Sequence, residues 1–120
     1  MTNRQACVSF FALFTLTALT AGCGSFPLPT DRLASSEAAI RTAIEVGAPN
    51  EPRAALHLKL AKDQLDQGKA LIKDGDNQRA DYVLRRAEAD AELSLALARE
   101  NNSKTEAQQV LDQLKAAQGK

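Results

Sequence analysis

The fold of this chain is most constrained by two stripes of small and apolar residues, one on each side of Gly75. Within each stripe the residues alternate three and four positions apart, which is the spacing of one face of an α-helix in a coiled coil. A glycine at the junction can end a helix, and a short turn there makes the two helices antiparallel neighbours. The first stripe consists of Ala54, Leu58, Ala61, Leu65, Gly68 and Ile72, and the second of Ala80, Leu84, Ala87, Ala91, Ser94 and Ala98.

The position of the turn also predicts the register of this helical hairpin. A glycine costs about 1 kcal/mol relative to alanine in a helix interior, and Gly68 is explained if Leu84 needs room beside it. The predicted layers are Ile72 with Ala80, Gly68 with Leu84, Leu65 with Ala87, Ala61 with Ala91, Leu58 with Ser94, and Ala54 with Ala98. In most of these layers a large residue faces a small one, which lets the helices pack without voids.

The composition favours helices throughout. All four phenylalanines precede residue 31 and tryptophan is absent, so the core is left to Ala, Leu, Ile and Val, which suits close-packed helices better than strands. The expected fold is all-α, with an antiparallel helical hairpin of two long helices, a shorter N-terminal helix and a possible C-terminal helix extension. This helical domain is predicted to span residues 31–118.

The helix ends are predicted from capping residues and glycines. Helix 1 is expected at about 31–46 with Thr30 or Asp31 as N-cap, helix 2 at about 51–74 after Asn50, and helix 3 at about 77–99 after Asp76 or Asn77. Beyond it, residues 104–118 either continue helix 3 or restart it, because Ser103 and Glu106 have capping-box spacing. The sequence leaves both alternatives open.

The hairpin end far from the turn is rich in leucine. Leucines at every second position spread around a helix, so both helices are expected to be apolar beyond their shared stripe. The candidate interaction surface consists of Leu56, Leu60, Leu93, Leu95 and Leu97. Two segments are candidates to cover part of it: helix 1, through Leu33, Ile40 and Ile44, or the chain after Arg99.

The first 30 residues are typical of a secreted and anchored protein. The first five residues carry one arginine and no acid, and an uncharged apolar stretch follows that is too short to cross a ~30 Å bilayer core comfortably. The stretch ends at small residues, which completes the pattern of a signal peptide. An ordinary signal peptide cut after another small residue and an uncleaved anchor are the alternatives. Thr20-Ala21-Gly22-Cys23 resembles the bacterial lipobox.

That resemblance implies cleavage after Gly22 and lipid attachment at Cys23, so that residues 1–22 are a signal peptide and 23–30 an acylated cysteine with a Pro-rich tether. Cys7 is then lost with the signal peptide. Two or three acyl chains, of the palmitate type, make a stable anchor because each buried methylene contributes ~0.8 kcal/mol. Gly24, in place of an aspartate, implies sorting to the outer membrane on its periplasmic side.

Charge and motifs argue against catalysis and nucleic-acid binding. The 15 acidic and 15 basic residues are interleaved, without a basic patch. Asp81 with Arg85 and Arg86 with Asp90 are predicted ion pairs at i,i+4 spacing, and His57 is predicted to be a helix-surface imidazole. Metal-ligand spacing, phosphate loops and nucleophile motifs are absent from the sequence. No enzyme activity and no cofactor other than the lipid on Cys23 are expected.

Residues 47–98 are similar to a family of bacterial envelope proteins named domain of unknown function 4398. The similarity lies in the helix from Ala54 to Leu71, the Gly75-Asp76 turn and the Ala-rich helix from Ala80 to Ala98. It implies a helical hairpin in the cell envelope and no assigned activity.

Two functions are therefore considered. The first is a lipid-anchored periplasmic interaction or scaffolding module, held to the membrane by its lipid and binding an envelope protein or a second copy. The alternative is a periplasmic carrier or chaperone that holds a hydrophobic ligand at the leucine-rich end.

Overall fold

The computed structural model describes residues 25–119, so the predicted signal peptide, Gly22 and Cys23 lie outside the described residues. Three α-helices and one 3₁₀ turn follow a short segment without regular secondary structure. They are α1 (Thr30–Glu45), the 3₁₀ turn (Ala48–Asn50), α2 (Pro52–Lys73) and α3 (Asn77–Gln118). Strands are absent from this part of the chain. The predicted all-α fold, a hairpin of two long helices with a shorter N-terminal helix, is confirmed.

The two stripes pack against each other as predicted. Eleven of their twelve residues are buried, and Ile72, beside the turn, is half-buried. A Cβ atom added to Gly68 would lie 2.6 Å from Leu84 Cδ2, so the predicted layer that joins these two residues is confirmed. At the far end the Ser94 hydroxyl donates to the Ala54 carbonyl at 2.7 Å, which fits the same register.

The turn between α2 and α3 is built by Gly75, whose φ of +78° is the left-handed conformation that glycine adopts without strain. The Asp76 amide donates to the Leu71 carbonyl and the Gly75 amide to the Ile72 carbonyl, which is the pattern of a Schellman motif. The Asp76 carboxylate then accepts from the Arg79 amide at 3.2 Å and caps α3. The turn thus satisfies both helix ends with local groups.

The other two caps differ from the prediction. Helix α1 begins at Thr30 after Pro29, without a side-chain cap, so neither Thr30 nor Asp31 has the predicted role. In α2 the N-cap is Glu51, whose carboxylate accepts from the Ala54 amide, and Asn50 belongs to the preceding 3₁₀ turn. Pro52 explains the shift, because proline favours the first helical position and makes the residue before it the cap.

Helix α1 packs on the hairpin through a face centred on Ser36, Ile40 and Ala43, all buried. The predicted face included Ile44, which is wrong, since Ile44 is 41% exposed and Leu33 is half-buried. The small side chain of Ser36 lets α1 approach the backbone of α3, where its hydroxyl oxygen lies 2.9 Å from the Leu84 carbonyl and 2.7 Å from the Arg32 carbonyl. The face of α1 that packs on the hairpin is therefore the one whose small side chain allows close approach to α3, and not the one with the largest apolar residues.

Helix α3 runs without a break to Gln118, which resolves the open alternative in favour of continuation. Every residue from 99 to 119 is exposed, so this segment does not fold back over the leucine-rich end. The side-chain amide of Asn102 donates to the Val46 carbonyl at 3.1 Å. Within α3, the Thr105 hydroxyl donates to the backbone carbonyl of Asn101. Asn102 therefore attaches α3 to the end of α1, and the two asparagines do not end the helix. Residues 103–118, which project beyond this point, are called the C-terminal arm.

Candidate interaction surface

Helix α1 occupies one of the two grooves along the α2–α3 hairpin. Arg32 lies 3.7 Å from the Asp81 carboxylate and 3.3 Å from the Glu88 carboxylate on α3, and Asp81 also forms the predicted ion pair with Arg85, at 2.8 Å. On the α2 side, Lys69 and Glu37 form an ion pair at 2.8 Å. These contacts assign one side of the hairpin to α1, and Leu95, which is seven residues beyond Glu88 on the same helix face, is half-buried in the core.

The hydrogen bond from Lys69 holds the pKa of Glu37 below its ordinary value of 4.5, with the lysine charge adding to the effect. A lowered pKa in the folded state means that Glu37 contributes stability above pH 4.5 that is lost as the pH falls through the folded-state pKa. We expect Glu37→Gln to lower the free energy of unfolding by about 0.5 kcal/mol at pH 7, because both side chains are partly exposed, and to have a smaller effect at pH 3.

Urea denaturation at the two pH values measures this difference. Glu92→Gln, which removes the same charge at an exposed position on α3, is the matched control. An equal loss at both pH values for Glu37→Gln would contradict a role for the charge.

The second groove of the hairpin is not covered by α1 and contains a polar cluster. His57 Nδ1 lies 3.0 Å from Asp90 Oδ1, and Gln64 Nε2 donates to Asp90 Oδ2 at 2.8 Å. Both carboxylate oxygens of Asp90 therefore contact α2, and the predicted pair of Asp90 with Arg86 is not formed. His57 is half-buried and connects the two helices, so its description as a helix-surface imidazole is incomplete.

The five predicted leucines do not form one surface. Leu60 is three residues after His57, and Leu93 and Leu97 are three and seven residues after Asp90, so these three share the open groove. Leu56, 57% exposed, lies about 200° around α2 from the buried Leu58. Leu95 belongs to the α1 side. The open groove thus brings together Leu60, Leu93 and Leu97 around the polar cluster.

Cavities at the two ends of the bundle differ in a way that bears on ligand binding. At the turn end, a groove of about 410 Å³ lies between the tether and the helices, lined by Phe26 and Leu28 but also by Arg32, Asp81 and Glu88. At the leucine-rich end a recess of about 50 Å³ is lined by Leu97 among polar residues. Each buried water needs about 10–15 Å³ of such space, so this recess has room for a few water molecules and not for an acyl chain.

The C-terminal arm, which is part of the predicted second cover for the leucine-rich end, carries apolar residues of its own. Val110, Leu111 and Leu114 are each at least half exposed. Together with Asp90 and Gln64, they are the features of the candidate surface that the prediction missed. Helical periodicity could have revealed the apolar face of the C-terminal arm. The contacts of Asp90 with α2 could not be found in this way, because they depend on which helices face each other.

Within residues 25–119, no group of three or more His, Cys, Asp or Glu side chains is arranged to hold a metal ion. In the same range, none of the helices combines the length and hydrophobicity needed to span a bilayer.

Comparison with known proteins gives one match. A model of the protein family described as "Domain of unknown function (DUF4398)" matches residues 31–110. These residues include α1, α2 and α3 as far as Val110. No curated protein and no solved structure matches the chain significantly. Because the matched segment covers the whole helical bundle and well over half of the sequence, the chain belongs to the DUF4398 family.

Proposed function

We propose that the protein is a non-catalytic interaction or scaffolding module of the bacterial cell envelope, anchored by lipid at Cys23 and facing the periplasm from the outer membrane. The observation that carries this proposal is the length of α3, which continues for 16 residues beyond Asn102 with an exposed apolar stripe. A helix of that length without a packed partner is marginal by itself, because most helical stability comes from tertiary contacts. Its apolar face therefore suits contact with another protein.

The arrangement of the two ends supports an anchored scaffold. The side-chain amide of Asn77 donates to the Phe26 carbonyl at 3.0 Å, which holds the tether beside the turn end of the hairpin. The arm begins 26 residues further along α3, or about 39 Å away at 1.5 Å per residue. A lipid attached at Cys23 would thus hold the membrane end of the bundle and leave the arm free on the distal side.

The anchor is tested by metabolic labelling with a radioactive or clickable fatty acid, followed by membrane fractionation. We expect the wild-type protein to carry the label and to fractionate with the outer membrane, and Cys23→Ala to lose the label completely. Cys7→Ala is the matched control, because residue 7 lies in the segment removed with the signal peptide, and it should keep full labelling. An unlabelled wild-type protein would remove the anchor from the proposal.

The carrier alternative receives less support. It needs an apolar space at the leucine-rich end, and the recess there is small and mostly polar. The larger groove, at the turn end, is lined by four charged side chains, which would be costly to bury beneath a hydrophobic ligand. Fluorescence of a hydrophobic probe with the purified protein distinguishes the two functions, since a carrier should bind it with saturation.

A further inference from the structure

Helix α3 has a second heptad-spaced stripe on its exposed side, which borders the open groove at Leu93. Its positions follow those of the buried stripe by two residues, which is about 200° around the helix. The apolar members are Ala89, Leu93, Ala96, Ala107, Val110, Leu114 and Ala117, and Glu100 and Ser103 occupy the two positions in the middle. All of these residues are exposed. Helix α3 thus has one seam that is buried within the chain and a second that stays exposed, where Glu100 pairs with Arg53 of α2.

We propose that this outward stripe packs antiparallel against the same stripe of a second copy of the chain. The inference rests on the proposed function, since it names the partner that the interaction module binds. Each arm would lie along the Ala89–Glu100 segment of the other copy. The arm, which has no packing partner in its own chain, would then cover the exposed face of that segment. The contact is isologous, as expected for a two-fold dimer.

The size of the contact requires the whole stripe. The arm is about 24 Å long and a helix is about 10–12 Å wide, so two arms alone would cover roughly 500 Å² in total. The stripe from Ala89 to Ala117 is about 43 Å long and doubles that footprint to roughly 1,000 Å². Specific interfaces need about 1,000 Å² or more. An arm-to-arm contact is therefore too small, and the full antiparallel overlap reaches the threshold.

One register matches the residues along the stripe. When the two helices cross at Asn101 and Asn102, Leu93 faces Val110 of the second copy and Ala89 faces its Leu114. The two polar positions fall together at the centre, where Glu100 faces Ser103, and neither is buried against an apolar residue. Beside this layer, Arg99 lies opposite Glu106 on both sides of the two-fold axis.

The other arrangements bring like charges together. In a parallel dimer Glu100 would face Glu100, and Arg99 would lie beside Lys104 of the second copy. An antiparallel shift by one heptad would place Glu100 against Val110 and would bring the two copies of Lys104 together, as well as the two copies of Glu106. The charge pattern therefore favours the antiparallel register centred on Asn101 and Asn102.

The bundle leaves room for this register. Helices α1 and α2 reach along α3 only as far as the contacts of Val46 with Asn102 and of Arg53 with Glu100. The proposed crossing point is at the same place, so the two bundles lie end to end along the paired helices and do not overlap. The 16 residues of each arm then match the length of exposed stripe that the other bundle offers.

Site-specific disulfide crosslinking of the full chain in cells tests the register. Leu93→Cys combined with Val110→Cys should convert about half or more of the chain to a dimer on mild oxidation, since the two cysteines face each other within the ~7 Å that a disulfide needs. Either single variant should stay monomeric, because the two copies of one position lie about 25 Å apart. Both positions are exposed, so these substitutions do not threaten the fold.

Wild-type chain, oxidised in parallel, controls for the native cysteines. A dimer formed by Leu93→Cys alone would indicate a parallel pair and overturn the proposal, and so would the absence of a dimer from the double variant. Crosslinking does not depend on fatty-acid labelling. A labelled, envelope-located protein that fails to crosslink would refute this inference alone, while crosslinking without label would refute the anchor alone.

A second measurement exchanges the charges of the proposed pair of Arg99 and Glu106 in the Leu93→Cys, Val110→Cys double variant. Arg99→Glu should slow the initial rate of crosslinking about fivefold, because it places like charges beside each other twice. Adding Glu106→Arg should restore the rate. The matched control is Asp112→Arg, which changes the charge equally on the opposite side of the arm and should leave the rate unchanged. Failure of the second substitution to restore crosslinking would contradict the pairing of Arg99 with Glu106.

Discussion

Leu58→Asp is expected to unfold the protein. Leu58 is 4% exposed and lies in the centre of the stripe that joins α2 to α3. The substitution removes about 2–3 kcal/mol of apolar burial and places a carboxylate without a cation partner in the core, which adds several kcal/mol more. The sum is comparable to the ~5–10 kcal/mol that stabilises a domain of this size. Circular dichroism should show loss of most of the helical signal.

Leu56→Asp is the matched control, since it makes the same chemical change two residues away at a side chain that is 57% exposed. We expect its free energy of unfolding to stay within about 0.5 kcal/mol of the wild-type value. A folded Leu58→Asp variant with a cooperative thermal transition would show that the stripe is not the core. Unfolding of Leu56→Asp would show that this exposed leucine is covered in the native protein.

Leu84→Ala is expected to lower the free energy of unfolding by about 3 kcal/mol, within the ~2–5 kcal/mol range of leucine truncations in cores. Leu84 is fully buried and is the largest of the fully buried side chains. It packs directly on Gly68, where backbone and side chain meet without an intervening Cβ atom. Because glycine offers no atoms that could move into the space, the cavity should persist.

Because of this contact, the effect of Gly68→Ala on the free energy of unfolding should have opposite signs in the wild type and in Leu84→Ala. In the wild type the new methyl group would lie 2.6 Å from Leu84 Cδ2 and 2.8 Å from Cγ, so overpacking should outweigh the ~1 kcal/mol gain in helix propensity and destabilise the protein by about 1 kcal/mol. In Leu84→Ala the space is open, and Gly68→Ala should stabilise by about 1 kcal/mol.

A double-mutant cycle measured by urea denaturation gives the coupling, which we expect to be about 2 kcal/mol. Gly75→Ala is not a suitable control, because a φ of +78° adds backbone strain at that position. Ala70→Gly, at an exposed position of the same helix, measures propensity alone and should cost about 1 kcal/mol in both backgrounds. An additive result for Gly68→Ala and Leu84→Ala would contradict the predicted layer.

Much of the hairpin could be predicted because its information is periodic and local. Stripes with three-and-four spacing define which face of each helix is buried, and Gly75 defines where the chain reverses, so one turn position sets the layers from Ala54 to Ala98. The buried stripe and the contact of Gly68 with Leu84 follow from these two facts. For the same reason the sequence predicts Asp76 or Asn77 as the N-cap of α3, since a cap acts on the next turn of its own helix, and the structure selects Asp76.

Tertiary structure decided what depends on residues far apart in the sequence. The side chain of Asn102 contacts the end of α1, so a residue with weak helix propensity lies inside a continuous α3. Asp90 pairs with His57 and Gln64 across the hairpin instead of with Arg86 on its own helix. The sequence alone determined the two helices and the seam between them, because each helix face is encoded by spacing within its own segment. Only the packed bundle decided where α1 lies, which leucines stay exposed and how far α3 extends beyond its neighbours, because burial depends on the whole set of helices that meet at each face.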